Sequence, residues 1–551
     1  MLSTTRRTVV MAVGLLAALL AASCSDTAST DAVQTTAVPR RALAVAHPAC
    51  SHTPAPAPRV DPVSASSNDF TLKAFDGIKV RMHWFAQPTA TAANPAPVVL
   101  MGPGWSLAGD SDPDAPGPFG GVNIKSLREA GYHVLTWDPR GFGQSEGQAN
   151  VNDPDIEGND VMALLDWVAE NPAVATDAPG DPRVGMVGVS YGGGIQLTTA
   201  GIDCRVDAIV PMFGWNSLVS SLYRSNTIKL GWATILATAA DPSHMAPEVT
   251  SSYERGKNTG DITAADVAWF DRHGPKQLID RIQIPTLNVQ GTVDTLFTLD
   301  ESVKNYETIR AHGVDTAMMW ICSGHGVCLT NKDDPTRLKL RVLEWFKRYL
   351  DDDASGETPP VLEATDQHGT SWKSTTWPPA PSEPVSATGT GTLQLSDASH
   401  AGPAVSSDVG VIGKLSLPIT PARADTALNI TVPLGAVPTF VVGAPRLKVN
   451  YRGTTPAGDR PTRVFAQLVD DSTGLVVGNQ ITPIALALDG QTHSADVDLE
   501  MIAFRSDPGA SLTLQLVAST VAYAAPRFGG QVQFDSVDLT LPTTQAMTPA
   551  A

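Results

Sequence analysis

Basic residues are scarce in this sequence of 551 residues, which has 38 Lys and Arg against 56 Asp and Glu. The formal net charge at pH 7 is therefore −18. Proteins that bind nucleic acids neutralise phosphates with a surplus of Lys and Arg, so the composition argues against a nucleic-acid partner. An acidic surface that keeps the protein soluble accounts for the charge.

Long hydrophobic runs are missing after residue 22, so we expect no later segment to span a membrane. The apolar run from Val9 to Ala22 is too short for a transmembrane helix and follows Arg6-Arg7, which predicts a signal peptide over residues 1–23. The motif Leu20-Ala21-Ala22-Ser23-Cys24 resembles a bacterial lipobox. Lipid attached to Cys24 would anchor the protein at the outer face of the membrane. The paired arginines fit either twin-arginine export or an ordinary basic leader.

Large apolar residues are few between residues 24 and 68, where Ala, Pro, Ser and Thr dominate. Such a segment cannot bury a core, so we expect a flexible tether. Cysteine is rare too, with five residues in the whole chain. Cys50 lies in the tether and could pair with Cys204, because disulfides form outside the cytoplasm.

A glycine-rich motif, Gly188-Val189-Ser190-Tyr191-Gly192, follows an apolar stretch that reads as a buried strand. Glycine two residues to either side of a serine lets a strand turn sharply into a helix without side-chain collisions. The free N–H groups at the start of that helix would face the oxyanion that forms when the serine attacks a carbonyl. The motif predicts a nucleophile elbow with Ser190 as the nucleophile.

An acid and then a histidine should follow such an elbow in chain order. The apolar segment Ile284–Gly291 reads as a strand, and Asp294 comes directly after its end. Asp300 and Asp315 also follow the elbow, but neither comes directly after a strand. We therefore expect Asp294 to be the acid.

Two histidines, His312 and His325, lie between Asp294 and the end of the hydrolase-like region. His312 precedes a glycine at a predicted helix end, where the helix dipole explains it. His325 follows the apolar strand Thr316–Ile321 in a loop with glycine on both sides, which suits a ring that must swing over Ser190. This position predicts His325 as the general base.

Cys322 and Cys328 flank His325 and could form a disulfide. A bridge that closes so short a loop would fix the loop more than it stabilises the fold. Zinc is the alternative, but one histidine between two cysteines supplies fewer ligands than a zinc site needs. We therefore expect neither a metal ion nor a cofactor.

Two turns upstream of the elbow also carry polar residues. An apolar strand from Val98 ends in a loop with Trp105 and Ser106, where a backbone N–H would supply the second oxyanion donor. Asp138 and Arg140 follow the next apolar strand in a glycine-punctuated turn. Because the acid has a better candidate in the right chain order, we interpret this turn as a brace for the active-site loops.

Taken together, residues from about 70 to 545 resemble the X-Pro dipeptidyl-peptidase and cocaine-esterase family of α/β-hydrolases. The motifs that carry this resemblance are Gly188-Val189-Ser190-Tyr191-Gly192-Gly193, Gly291 to Asp294, His325-Gly326 and Trp377-Pro378-Pro379. The resemblance implies that Ser190 is the nucleophile, Asp294 the acid and His325 the base. It also implies that the Tyr191 backbone N–H is an oxyanion donor. Members of the family often use a tyrosine hydroxyl from the first oxyanion loop, where this sequence has Trp105 and Ser106.

The resemblance implies an α/β fold, an α/β-hydrolase domain with a helical cap insertion followed by a C-terminal all-β jelly-roll sandwich. Helical spacing of apolar residues predicts the cap over about 214–282, and the hydrolase domain then covers residues 69–355. Apolar and polar residues alternate after residue 390, as in Leu512-Thr513-Leu514-Gln515-Leu516, which predicts the β-sandwich over residues 356–551.

The sequence predicts an extracytoplasmic serine hydrolase that cleaves ester or amide bonds of a small-molecule ester or peptide substrate, with esters favoured. The alternative is an X-Pro dipeptidyl-peptidase-like aminopeptidase, which needs carboxylates to hold the free ammonium group of its substrate. Five acidic residues of the predicted cap could do so, with no spacing that singles out a pair: Asp241, Glu248, Glu254, Asp261 and Asp266. A non-catalytic surface binding protein is the alternative from another class.

Overall fold

The computed structural model describes residues 58–64, 68–331, 334–356, 358–397, 422–456, 462–524 and 528–550. The predicted signal peptide, the lipid-attachment residue Cys24 and most of the tether lie outside these ranges. No helix in the described ranges is both long and apolar enough to cross a bilayer.

The first two thirds of the chain alternate strands and helices. Its strands are β1 Val60–Pro62, β2 Asp69–Lys73, β3 Lys79–Phe85, β4 Val98–Gly102, β5 His133–Trp137, β6 Thr176–Ala178, β7 Asp181–Pro182, β8 Val184–Val189, β9 Val206–Met212, β10 Thr286–Gly291, β11 Thr316–Ile321, β12 Leu362–Thr365 and β13 Ser371–Ser374. Its α-helices are α1 Ile124–Glu129, α2 Glu157–Ala169, α3 Tyr191–Ile202, α4 Leu218–Leu222, α5 Leu230–Ala239, α6 Pro247–Thr259, α7 Ala264–Arg272, α8 Leu299–Arg310 and α9 Pro335–Leu350.

The last third of the chain is built from strands. They are β14 Val385–Gln394, β15 Leu428–Pro433, β16 Phe440–Gly443, β17 Arg446–Thr454, β18 Thr462–Asp470, β19 Thr482–Leu486, β20 Asp489–Asp498, β21 Ile502–Arg505, β22 Ser511–Val517, β23 Gln531–Leu541, β24 Thr543–Thr544 and β25 Thr548–Pro549.

One 12-stranded sheet forms the centre of the hydrolase region, with the order β1-β2-β3-β5-β4-β8-β9-β10-β11-β12-β13-β25. Strands β5 to β12 of this order run parallel. Strands β9, β10 and β11 are buried along their whole length, because apolar cores lie on both faces of the sheet. The carboxyl ends of these parallel strands therefore meet at one edge, where α/β folds place their sites.

The sheet continues beyond residue 355. Strands β12 and β13 extend it after the last long helix, and β25 near the C-terminus pairs with β13. These strands lie outside the range predicted for the hydrolase domain. Their sequences alternate weakly, so only their pairing with a neighbour assigns them to this sheet.

Four helices, α4 to α7, lie between β9 and β10 in the range predicted for the cap. The strands that follow β13 form two four-stranded antiparallel sheets, β14-β23-β17-β20 and β15-β22-β18-β19, around one apolar core. A three-stranded sheet, β21-β16-β24, lies beside them. The predicted α/β-hydrolase with a C-terminal β-sandwich is confirmed.

Candidate active site

Ser190 lies at a sharp turn between β8 and α3, with φ 59° and ψ −112°. This left-handed conformation is costly for a non-glycine residue and is characteristic of functional turns. The turn needs glycine two residues before and two residues after Ser190. A Cβ on Gly188 would lie 2.5 Å from the Gly102 carbonyl oxygen, and a Cβ on Gly192 would lie 2.0 Å from the same atom. The structure therefore forms the predicted elbow.

Asp294 follows β10 and is completely buried. Its Oδ2 accepts a hydrogen bond from His325 Nδ1 at 2.8 Å. Its Oδ1 accepts the backbone N–H groups of Leu296 at 3.0 Å and Phe297 at 2.8 Å. Since Nδ1 of His325 donates to the carboxylate, Nε2 of the neutral ring is left to accept a proton.

His325 lies in the loop after β11, which is held at several points. Cys322 and Cys328 form a disulfide around it, as the sequence suggested. Thr295 Oγ1 donates to the His325 carbonyl oxygen at 2.9 Å. The imidazole packs edge-on against the Phe297 ring at 5.2 Å between centroids. Of the other predicted pair, Cys204 is disulfide-bonded, and Cys50 lies outside the described residues.

The topology brings Ser190, Asp294 and His325 to the same edge, because β8, β9, β10 and β11 are neighbours in the sheet. Phe297 connects them, since it packs on the His325 ring and lines the same cavity as Ser190. Among the described residues no hydrogen bond joins Ser190 to the His325 ring. Catalytic hydrogen bonds of this kind often tighten only when substrate binds.

A cavity lies between Ser190 and the helices of the cap, with about 880 Å³ of empty space when the open solvent at its mouth is included. Every described residue that lines it is uncharged. They are Trp105, Val151, Ser190, Tyr191, Trp215, Leu218, Val219, Leu222, Tyr223, Ile228, Ala233, Leu236, Ala237, Val249, Ser252, Tyr253, Ile262, Phe270, Leu296 and Phe297. Ser190 therefore faces an apolar chamber.

Two of the predicted oxyanion residues, Tyr191 and Trp105, line this chamber, and Ser106 does not. Tyr191 is the first residue of α3, so its N–H has no partner within the helix. The Trp105 indole donates to the Leu236 carbonyl oxygen at 3.0 Å and packs on the Tyr191 ring. Within the described ranges, the backbone N–H groups of Trp105 and Ser106 donate no hydrogen bond. Ser106 has φ 64°, in the left-handed region.

Asp138 and Arg140 brace the loops as the sequence analysis interpreted them. Asp138 accepts the backbone N–H groups of Gly109 at 2.8 Å and Gln144 at 2.6 Å. Arg140 forms a two-pronged pair with the buried Asp160, both contacts at 2.7 Å. These partners occupy both side chains, and neither residue lines the cavity.

Asp300, weighed above as a competing acid, lies in a different cluster. Burial beside Glu500 of the β-sandwich raises the pKa of Asp300 to about 7. Arg224 of the cap pairs with Glu500 at 2.7 Å and holds the pKa of that carboxyl below its usual value. Thr298 Oγ1 donates to the same carboxylate at 2.9 Å. This cluster joins core, cap and sandwich, and no local motif marked it.

The β-sandwich also contacts the loops that carry the acid and the base. Gln480 Nε2 donates to the backbone carbonyl oxygen of Asp294 at 2.8 Å. Asn479 Nδ2 donates to the carbonyl oxygen of Val327, two residues beyond His325, at 3.2 Å. The sequence analysis missed both residues. They lie about 150 to 190 positions from their partners, and a lone amide in a loop carries no signal of its contact.

A known protein family matches part of this chain in sequence. The sequence model of the X-Pro dipeptidyl-peptidase (S15) family matches residues 76–326, a range that contains Ser190, Asp294 and His325. The resemblance to these hydrolases is confirmed. The matching family is one of hydrolases, the class that the sequence predicts.

Curated relatives match shorter parts of the chain. An uncharacterised protein of Pseudomonas aeruginosa is 32% identical over 120 residues, which make up 20% of this chain and 31% of that protein. A polyketide transferase of Gibberella fujikuroi is 22% identical over 237 residues, which make up 41% of this chain and 63% of that protein. The chain thus matches less than two thirds of the length of these relatives.

Solved structures match nearly the whole chain. An α-amino acid ester hydrolase gives a TM-score of 0.65 at 14% identity and covers 87% of this chain and 97% of its own. An aminopeptidase from the marine sediment archaeon Thaumarchaeota archaeon gives 0.64 at 13% identity, with 90% and 99% covered. A CocE/NonD family hydrolase from Staphylococcus aureus gives 0.62 at 13% identity, with 86% and 94% covered. At these identities the likeness shows the fold.

Proposed function

We propose that this protein is a serine hydrolase whose triad is Ser190, His325 and Asp294. Ser190 Oγ attacks the substrate carbonyl while His325 Nε2 takes the hydroxyl proton, and His325 then returns that proton to the leaving group. Water, deprotonated by the same nitrogen, releases the acid from the acyl-enzyme. The observation that carries the proposal is the Asp294–His325 hydrogen bond at the edge where the strained elbow presents Ser190.

The oxyanion that forms on the substrate needs two donors. We assign one to the backbone N–H of Tyr191, which is the first of α3 and lies at the positive end of the helix dipole. The N–H of Trp105 or Ser106, both on the loop after β4, supplies the other. Backbone donors need no tyrosine hydroxyl, and the Tyr191 hydroxyl is occupied, because it donates to buried Glu157 at 3.1 Å.

A fluorophosphonate probe tests the nucleophile, because it phosphonylates only an activated serine. It should label the wild-type protein and not Ser190→Ala. Substituting His325 by Ala should lower kcat by a factor of about 10⁴ or more. The matched control is His312→Ala, which removes an exposed hydrogen bond to Asp280 at 3.1 Å and should leave kcat unchanged. Folded wild-type protein that resists the probe would refute the triad.

We propose esters, rather than X-Pro peptides, as substrates. A dipeptidyl-peptidase needs a carboxylate beside its pocket to hold the free ammonium group, and none of the five acidic cap residues lines the cavity. Assays of p-nitrophenyl butyrate and Ala-Pro-p-nitroanilide side by side decide the matter. A preference for the anilide of more than about tenfold in kcat/KM would favour the peptidase. The non-catalytic binding function has no comparable support, because the sandwich braces the acid's own loop.

We also propose that the protein is exported and attached to the membrane through lipid on Cys24. The support is the sequence alone: a short apolar leader followed by a lipobox-like motif. Metabolic labelling with radioactive palmitate in a bacterial host should mark the wild-type protein and not Cys24→Ala. Cytoplasmic protein that carries an intact leader would contradict this localisation.

A further inference from the structure

The cavity beside Ser190 is lined, among the described residues, by uncharged side chains. Its walls come from the elbow and the oxyanion loop on one side, with Tyr191 and Trp105, and from the cap on the other, with Leu222 and Phe270. The described lining offers hydroxyl groups but no ionised side chain. A charged group that entered would lose its hydration with nothing to replace it.

On the cap side, Asp266 accepts a hydrogen bond from the hydroxyl of Ser252, a residue of the cavity wall, at 2.9 Å. Its carboxylate is already fully used. Arg255 Nε donates to it at 2.9 Å, and the Thr263 backbone N–H and hydroxyl donate at 2.9 and 2.7 Å. Arg255 also supplies the neutralising charge. Asp266 therefore has neither free charge nor free lone pairs to offer an ammonium group.

Glu157 accepts a hydrogen bond from the hydroxyl of Tyr191, which lines the cavity, at 3.1 Å, and burial raises the pKa of Glu157 to about 8. Two further ionisable groups contact the lining on the catalytic side. One is Asp294, whose carboxylate already accepts from His325 and from two backbone N–H groups. The other is Lys229, which is buried and donates through Nζ to the carbonyl oxygen of Leu296 at 3.1 Å. Leu296 itself lines the cavity. A cationic ligand would therefore meet the Asp294 carboxylate, whose oxygens already accept three hydrogen bonds, and the ammonium group of Lys229.

We infer that this cavity binds the acyl chain of its substrate, and that the chain is an uncharged aliphatic or aryl-alkyl group longer than butyryl. The inference rests on the proposed hydrolase function, because the substrate carbonyl must lie at Ser190 while its chain extends among the apolar walls of the cap. It distinguishes this protein from enzymes that bind a free α-ammonium group. Each additional methylene that becomes buried against these walls raises kcat/KM by up to about fourfold.

A series of p-nitrophenyl esters from acetate to dodecanoate measures this dependence. We expect kcat/KM to rise by about tenfold or more from butyrate to octanoate, since four additional methylenes become buried. Equal or falling kcat/KM beyond butyrate would overturn the inference. The acetate rate and fluorophosphonate labelling report on the triad independently, so failure of the acyl-chain inference remains distinguishable from failure of the hydrolase proposal.

A matched pair of substrates tests the exclusion of charge. The p-nitrophenyl esters of 3-phenylpropanoate and phenylalanine differ only by an α-ammonium group when both are assayed at pH 6. We expect the ammonium to lower kcat/KM by about a hundredfold or more, since no free carboxylate meets it. Equal or faster cleavage of the phenylalanine ester would overturn the inference.

Helix α5 offers a matched pair of variants. Ala237 lines the cavity, whereas its neighbour Thr238 is exposed and bonds only to its own helix, at 2.7 Å to the Thr234 carbonyl oxygen. Ala237→Trp should fill the cavity and lower the ratio of kcat/KM for octanoate to kcat/KM for acetate by about tenfold or more relative to wild type. Thr238→Trp should leave both rates unchanged.

Ala233→Leu, on the same wall one turn earlier, gives a milder filling if the larger side chain disturbs the cap. Fluorophosphonate labelling of each variant verifies that Ser190 remains activated. A labelled Ala237→Trp or Ala233→Leu protein with wild-type kcat/KM for octanoate would refute the acyl-chain assignment. Selective loss of the longer esters would establish it.

Discussion

Replacing Arg140 by methionine tests whether the turn after β5 is a brace or part of the catalytic machinery. The guanidinium is 5% exposed and donates to both oxygens of Asp160, which is itself 3% exposed. It also donates to Asp76 at 2.6 Å. Methionine keeps the apolar stem and removes the charge, so Asp160 would be left buried without a cation.

The expected loss of stability is large. Removing one partner from a buried ion pair costs about 3–5 kcal/mol, because the remaining charge is unpaired. Asp76 contributes less, since its side chain is 35% exposed and solvent screens the interaction. We therefore expect Arg140→Met to lower the free energy of unfolding by roughly 3–5 kcal/mol at pH 8.

The pH dependence has a definite sign. Burial raises the pKa of Asp160 even beside Arg140, and loss of the guanidinium raises it further. A carboxyl whose pKa is higher in the folded state than in the unfolded state binds a proton more tightly when folded. It therefore favours folding at low pH and loses that contribution as pH rises through the folded-state pKa. The destabilisation by Arg140→Met should be smaller at pH 5 than at pH 8.

Urea unfolding of the wild type, Arg140→Met, Asp160→Asn and the double variant at both pH values gives the coupling energy directly. The double variant should recover part of the loss, because the unpaired charge is gone. Steady-state kinetics at 25 °C on folded Arg140→Met should give kcat within a few-fold of wild type. An unchanged unfolding midpoint, or kcat lowered about a thousandfold in a stable protein, would refute the bracing role.

Gln480→Ala should lower kcat several-fold with KM unchanged, because the amide holds the Asp294 carbonyl from outside the cavity; an unchanged kcat would show that the loop keeps its shape without it. The Cys322→Ser/Cys328→Ser variant should lose several-fold in kcat while Tm moves only a few degrees, because the bridge closes a short loop. Thiol-specific mass spectrometry that finds both cysteines free in exported protein would remove the basis for that expectation. Gly324→Ala should lower kcat by about tenfold or more, because φ is +111° and the new Cβ would lie 2.7 Å from the Asp294 Cβ. Wild-type kinetics in that variant would mean that the loop adjusts without moving the acid.

Local pattern was sufficient for the elements that carry the candidate triad. The apolar segments before Ser190, Asp294 and His325 predict buried strands, and the structure has β8, β10 and β11 there. Parallel strands bring their carboxyl ends to one edge, so three residues spread over 136 positions could be grouped from chain order alone. The elbow motif predicts glycine at 188 and 192. The atom that a Cβ at either position would meet first, the Gly102 carbonyl oxygen, lies at the end of the neighbouring strand β4 and is known only from the structure.

Contacts between distant segments were decided only in three dimensions. Nothing in the residues around Gln480 indicates that its amide meets the Asp294 loop, and Asp300 reads like any helix-start acid until Glu500 lies beside it. The same holds for the five acidic cap residues. Their position in the predicted cap suggested that they could reach a substrate. In the structure α6 packs against α7, Asp266 pairs with Arg255, and the described lining of the cavity is uncharged.

The sequence by itself therefore determined the order of strands and loops that presents Ser190, Asp294 and His325, because each lies directly after a strand with a local signature. Only the tertiary structure decided the character of the chamber they face and the support they receive from the β-sandwich. A buried polar group is specified by its partner, and that partner can lie anywhere in the chain.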